Sequence, residues 1–105
     1  RKLIEQNIPF ALATDYNPGS SPNGNMNLVN ALAAIKMKIS PEAAINASTI
    51  NGAYAMEISK NTGSITIGKF ANINITSNIS SYGFMPYSFG QNHIERSMIN
   101  GKWIN

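Results

Sequence analysis

The hydrophobic period of this chain changes at Gly63, and that change limits it to a mixed α/β fold. From Met26 onward, Leu28, Val29, Leu32, Ile35 and Ile39 recur at three- and four-residue spacing. That spacing puts them on one face of a helix. Lys36 and Lys38 stand near its end, where cations suit the helix dipole. Ser40-Pro41-Glu42 then opens a second helix: Ser as N-cap, Pro at the first position, an acid in the first turn. Ala43, Ala44, Ile45 and Ala47 keep that helix slim. Asn51 is read as the cap of a third short helix running to about Ile58, ended by Lys60-Asn61-Thr62-Gly63. Beyond Gly63 the period is two. Ile65 and Ile67 alternate with Ser64 and Thr66, Gly68-Lys69 turns, and Ile73 and Ile75 alternate with Asn72, Asn74 and Thr76. This predicts a strand, a tight turn and a second strand. Ile94 to Ile99 reads as a third strand. Asn100-Gly101 is a two-residue hairpin signal that returns Lys102-Trp103-Ile104 as a fourth.

The ends of this pattern are different in kind. Ile8 to Thr14, IPFALAT, is a short apolar run compatible with a buried strand starting near its proline. DYNPGSSPNGN follows, and its Asn, Pro, Gly and Ser content makes it a loop. Ser77 to Asn92 is a second loop, rich in aromatics: Tyr82, Phe84, Tyr87 and Phe89.

Composition narrows the function classes. The chain has 105 residues, 43% apolar and 12% charged, which suits one globular piece with much buried surface. Eight basic residues against five acidic ones give a net charge of +3. They are scattered, so the excess reflects a shortage of acids and no nucleic-acid partner is expected. Cysteine is absent, which removes disulfides, thiolate catalysis and Cys-based zinc sites and fits a cytoplasmic protein. No apolar run approaches the ~20 residues of a membrane span. Glu5, Gln6 and Asn7 interrupt any signal-peptide core. The first residue is Arg1, so a trimmed or partial chain is expected.

Three blocks carry a family resemblance: ALATDYNPGSSP (Ala11 to Pro22), SPEAAINASTINGAYAM with GSITIGKFANINI (Ser40 to Met56 and Gly63 to Ile75), and MPYSFGQNHI (Met85 to Ile94). The middle block resembles the end of many amidohydrolases, where a helix precedes G-x-I-x-x-G-K-x-A-D and an apolar strand. The outer blocks resemble the imidazolonepropionase branch of that family. Asn72 departs from the pattern, since the family has Asp there. The resemblance implies the C-terminal end of an α/β protein. Residues 1–62 would be the end of a (β/α)8 barrel, with Ile8 to Thr14 as its last strand and the helices closing it. Residues 63–105 would be the C-terminal strands of a small β-sandwich.

Asp15 is the only aspartate, and it stands where an apolar strand meets a loop, the place barrel enzymes keep catalytic groups. Spacing alone reads it as a turn former. The resemblance implies a ligand to Zn²⁺ or Fe²⁺/Fe³⁺. It also implies that Asn17, Gly19 and Ser20 touch substrate or product: Asn17 by hydrogen bonds, Gly19 through its backbone, Ser20 through its hydroxyl. The implied reaction opens the cyclic amide of 4-imidazolone-5-propanoate to N-formimino-L-glutamate in histidine degradation. The family's other ligands, an H-x-H pair and later histidines, lie upstream, as does the catalytic base. No catalytic residue is therefore expected within this chain, and alone it should be inactive. The single His93 is expected to play a structural hydrogen-bonding role, the aromatics and Trp103 to pack. A homo-oligomer is expected, and no membrane partner.

Two alternatives stay open. One is a non-catalytic interaction or assembly module with the aromatic loop as its surface. The other is a piece of a different amidohydrolase, such as a cytosine- or guanine-deaminase relative. NPGS after Asp15 and the PYSFGQNH tail argue against the latter.

Overall fold

A computed structural model describes all 105 residues. The order is α1 (Lys2–Glu5), α2 (Met26–Ile35), α3 (Pro41–Ser48), α4 (Ile50–Ala55), β1 (Ile73–Thr76), α5 (Phe84–Tyr87), β2 (Ile94–Ile99) and β3 (Lys102–Trp103). The helices start where cap chemistry allows. The Asn25 side chain accepts from the Asn27 N–H ahead of α2, and Ser40 Oγ accepts from the Ala43 N–H at 3.2 Å ahead of α3. Each bond satisfies one of the orphan donors of a first turn.

Helices α2, α3 and α4 pack in sequence, and alanine makes the approach close. Ala31, Ala33, Ala44, Ala47 and Ala53 are buried, with Ile39 the one large apolar side chain among the buried residues. Phe10, Leu12 and Ala43 pack against the cluster of Ala33, Ile39 and Ala44. Only 7 of the 105 residues are buried. Stabilisation scales with apolar area removed from water, at ~25 cal/mol per Å², so a core of alanines contributes little per residue. Helix α5 lies against α2 and ties the second half of the chain to the first.

The sheet is antiparallel, in the order β1-β2-β3. Ile73 faces Met98 and Ile75 faces Arg96, with a register shift between Ile75 and Thr76. Met98 faces Trp103 across the hairpin. Asn100 and Gly101 have φ of 49° and 77°, the left-handed pair a tight hairpin turn requires. Asn72 Oδ1 accepts the Asn100 N–H at 2.8 Å, and the Ala71 carbonyl accepts the Gly101 N–H at 3.1 Å. The family departure at Asn72 thus sits at a structural clamp on the turn.

The structure differs from the sequence expectations in four places. Ile65 and Ile67 form no strand: Ile67 is fully exposed and no neighbouring strand reaches it. The turn itself is as expected, with Gly68 at φ 91° and the Lys69 N–H on the Thr66 carbonyl. Ile8 to Thr14 is extended but unpaired. Phe10, Leu12 and Thr14 are half-buried while Pro9, Ala11 and Ala13 are exposed, a strand's alternation without a strand's ladder. Thr49, not Asn51, precedes α4. The Asn51 Nδ2 instead donates to the Phe10 carbonyl at 2.9 Å. The aromatic loop contains α5, and Trp103 lies under the Arg96 guanidinium, 3.7 Å from ring centre, and stays exposed.

Candidate functional site

The extended segment starts on the Leu3 carbonyl of α1, which accepts the Ile8 N–H at 2.8 Å, and is held further along by two hydrogen bonds to α3 and α4. The Leu12 N–H donates to the Ala47 carbonyl at 3.0 Å, and Asn51 holds Phe10 from α4. These anchors fix where the segment ends, and its end carries Asp15. Asn51 is a positioning residue that the sequence offered only as a helix cap. Its polar side chain inside a short alanine-rich helix was the available signal.

After Thr14 the chain enters a closed turn. The Ser21 Oγ donates to the Thr14 carbonyl at 2.8 Å, and the Asn17 N–H donates to the Ser21 carbonyl at 2.9 Å, so Asn17 and Ser21 form an isolated antiparallel bridge. Asn17 is the hub. Its Oδ1 accepts from the Gly19 N–H at 3.0 Å, from the Ser20 N–H at 2.8 Å and from the Ser20 Oγ at 3.3 Å. Its Nδ2 donates to the Asp15 carbonyl at 2.6 Å. A Cβ at Gly19 would lie 3.3 Å from Asn17 Oδ1, so the small residue keeps this bond short.

Asp15 has φ 51°, a left-handed conformation that Asp and Asn tolerate better than most side chains. The Asn17 bond to its carbonyl and the Tyr16 N–H on Thr14 Oγ1 brace it there. Its residue is exposed, and its carboxylate makes no hydrogen bond or ion pair within the chain. A braced backbone with an unengaged carboxylate is what a ligating group needs.

The four residues singled out in the sequence therefore lie on one turn, in distinct situations. Asp15 presents a free carboxylate. Asn17 is committed on both ends, with one Nδ2 hydrogen left over. The Gly19 N–H is taken by Asn17, leaving its carbonyl. Ser20 Oγ donates inward and keeps its lone pairs free. No group of three His, Asp or Glu side chains comes together anywhere in the chain, so these residues do not by themselves form a metal cage. A transition-metal site takes three or more protein ligands.

His93 stands apart from the turn. Its ring packs at 5.2 Å from Phe84 of α5, and its carbonyl accepts from the Ser77 N–H. The expected side-chain hydrogen bond is absent: its Nε2 is buried without a partner.

Residues 1–104 match the amidohydrolase family. The chain is 62% identical over 104 residues to the imidazolonepropionase of Christiangramia forsetii, covering 99% of this chain and 25% of that protein. It is 61% identical to the imidazolonepropionase of Flavobacterium johnsoniae at the same coverage. It is 45% identical to that of Staphylococcus aureus, over 99% of this chain and 24% of the relative. The chain spans about a quarter of the length of the curated relatives it matches. It belongs to the amidohydrolase family.

Proposed function

We propose that this chain works as the C-terminal part of a longer hydrolase that opens the cyclic amide C–N bond of 4-imidazolone-5-propanoate, giving N-formimino-L-glutamate in histidine degradation. What supports the substrate is the identity to proteins named imidazolonepropionase across nearly the whole chain. What supports the site is the braced turn with its free Asp15 carboxylate.

In that enzyme Asp15 is one ligand of a zinc or iron ion, the others coming from outside this chain. When bound, the metal lowers the pKa of a water so that it can act as nucleophile near neutral pH. This chain's residues do the rest of their work by position. The braced left-handed backbone at Asp15 leaves its carboxylate unbonded to its own loop. The Asn17 hub holds the Gly19 carbonyl and the Ser20 hydroxyl beside it, and the spare Nδ2 hydrogen of Asn17 meets the polar end of the product. In this reading the other metal ligands and the catalytic base lie outside this chain, so the chain alone is inactive.

The same reading gives residues 1–62 to the end of a (β/α)8 barrel and residues 63–105 to a β-sandwich completed by other strands. An open groove lined by Pro9, Phe10, Ala11, Asn51 and Tyr54 runs along the start of the extended segment, where a neighbouring barrel strand would lie. A self-contained interaction module would cover Ile65, Ile67, Tyr54 and Met56, all more than 70% exposed. The complete enzyme is a cytoplasmic homo-oligomer in this reading.

The test is Asp15→Asn in the longer protein, assayed for ring opening and for bound metal by elemental analysis. Loss of both with an unchanged circular dichroism spectrum is the expected result. Full metal content and activity would remove Asp15 from the site.

A further inference from the structure

Three Asn-Gly pairs occur in the chain: Asn23–Gly24, Asn51–Gly52 and Asn100–Gly101. Such pairs are chemically vulnerable, because glycine has no Cβ to hinder its nitrogen from attacking the preceding side-chain amide. We propose that Asn23 is a site of spontaneous deamidation, and that the fold shields Asn51 and Asn100 from the same reaction.

The step is a ring closure followed by hydrolysis. The Gly24 backbone nitrogen, having lost its proton, bonds to Asn23 Cγ. The Cγ–Nδ2 bond breaks, the nitrogen takes up a proton, and ammonia leaves. Water then adds to either carbonyl of the resulting succinimide. One opening gives aspartate, the other isoaspartate with an extra methylene in the main chain.

The three pairs are held differently. Asn23 and Gly24 are exposed and lie outside any helix or strand. The Gly24 N–H donates to no acceptor within the chain. Asn23 Oδ1 accepts from the Asn25 N–H at 2.9 Å, which folds the side chain back over its own following backbone and draws electron density from Cγ. Asn100 is left-handed, and the nitrogen of Gly101 is engaged by the Ala71 carbonyl. Asn51 lies within α4, half-buried, with its Nδ2 anchored on the Phe10 carbonyl. The Gly52 N–H is in the helix's first turn, so protection there rests on the helical backbone, which must unwind for the ring to close, and on the anchored amide.

The consequence falls on the turn. An isoaspartate at position 23 lengthens the chain two residues before Asn25, the cap of α2. It also shifts Gly24, over which the Tyr16 ring lies: a Cβ there would stand 3.8 Å from Tyr16 Cδ2. Tyr16 directly follows Asp15.

The experiment incubates the intact protein near neutral pH at growth temperature, then quantifies aspartate and isoaspartate in each Asn-Gly peptide by mass spectrometry. Product should accumulate at Asn23 several-fold faster than at Asn51 or Asn100, and the difference should vanish in denaturant. Equal rates in the folded protein, or a faster rate at either other site, would overturn the proposal. Gly24→Ala, whose added Cβ meets only an ordinary contact, should slow the Asn23 peptide alone. An unchanged rate in that variant would rule out the Gly24 nitrogen as the attacking group.

Discussion

Ile8 to Thr14 and Ile94 to Trp103 carry equally good strand patterns, yet only the second forms a sheet. The hairpin has its partner two residues away and β1 on its other edge. The N-terminal segment has neither. It keeps the alternating burial of a strand, but its main-chain ties to the helices are two isolated bonds, Ile8 N–H to the Leu3 carbonyl of α1 and Leu12 N–H to the Ala47 carbonyl of α3, helped by Asn51. A hydrophobic period specifies which face is buried, and pairing needs a second chain segment at the right distance. The difference teaches where this chain is complete. It is complete where contacts are local, and open where the candidate site lies.

The largest effect that would break this comparison comes from the open region. If Asp15 is the metal ligand proposed above, Asp15→Asn in the longer protein should lower kcat by more than about a hundredfold, since loss of a ligand exceeds the ten- to hundredfold cost of disturbing its supporting groups. Because the Asp15 carboxylate makes no bond within the chain, the unfolding midpoint measured without metal should stay unchanged. Parallel turnover and thermal-melt measurements check both halves of this statement. A variant that loses stability along with activity would mean that the turn depends on the carboxylate after all.

The next effect belongs to the alanine core. Ala47 is fully buried on α3 and its carbonyl anchors Leu12. Ala47→Leu should cost about 1–3 kcal/mol by overpacking, read as a shift in urea midpoint. The same variant should loosen Ile8 to Thr14, visible as faster amide exchange at Leu12. A destabilised core with unchanged exchange at Leu12 would uncouple the two regions.

What could be seen in the sequence follows the same division. Ser40-Pro41 and Asn100-Gly101 were legible because cap and turn chemistry needs only near neighbours. The turn at Asp15 was legible as a loop from its Asn, Pro, Gly and Ser content, whereas Asn17 was singled out by the family resemblance as a product contact and not as the hub of its own turn. Asn51 was misread as a cap because its true acceptor, the Phe10 carbonyl, lies 41 residues away. Ile65 and Ile67 were misread because alternation names a face and leaves the partner unstated. The ligand role proposed for Asp15 came from family resemblance alone: one carboxylate on a turn has no spacing that marks a metal.

A smaller effect sharpens the hairpin side. Asn100→Val forces a β-branched residue into a left-handed conformation, at a cost of roughly 1–2 kcal/mol. Loss of the Met98–Trp103 cross-strand signals in an NMR spectrum, with α2 to α4 intact, is the expected outcome. Collapse of the whole chain would mean that the hairpin supports the helices, through α5, more than its own edge suggests.

The smallest effect is the most informative about what the open surface is for. Ile67 is fully exposed, at the tip of a turn that the Lys69–Thr66 bond closes without it. Ile67→Ser in this chain should change stability by no more than about 0.5 kcal/mol, as for surface substitutions elsewhere. In the longer protein the same substitution tests whether that isoleucine is covered. Burial of such a side chain contributes about 1.5–3 kcal/mol, so a sandwich strand lying over it would make the change costly there. A difference between the two backgrounds would identify residues 64–67 as a strand awaiting its partner. Equal, negligible effects would make the alternation of Ile65 and Ile67 a pattern without a fold, and the comparison with the hairpin would then rest on Ile8 to Thr14 alone.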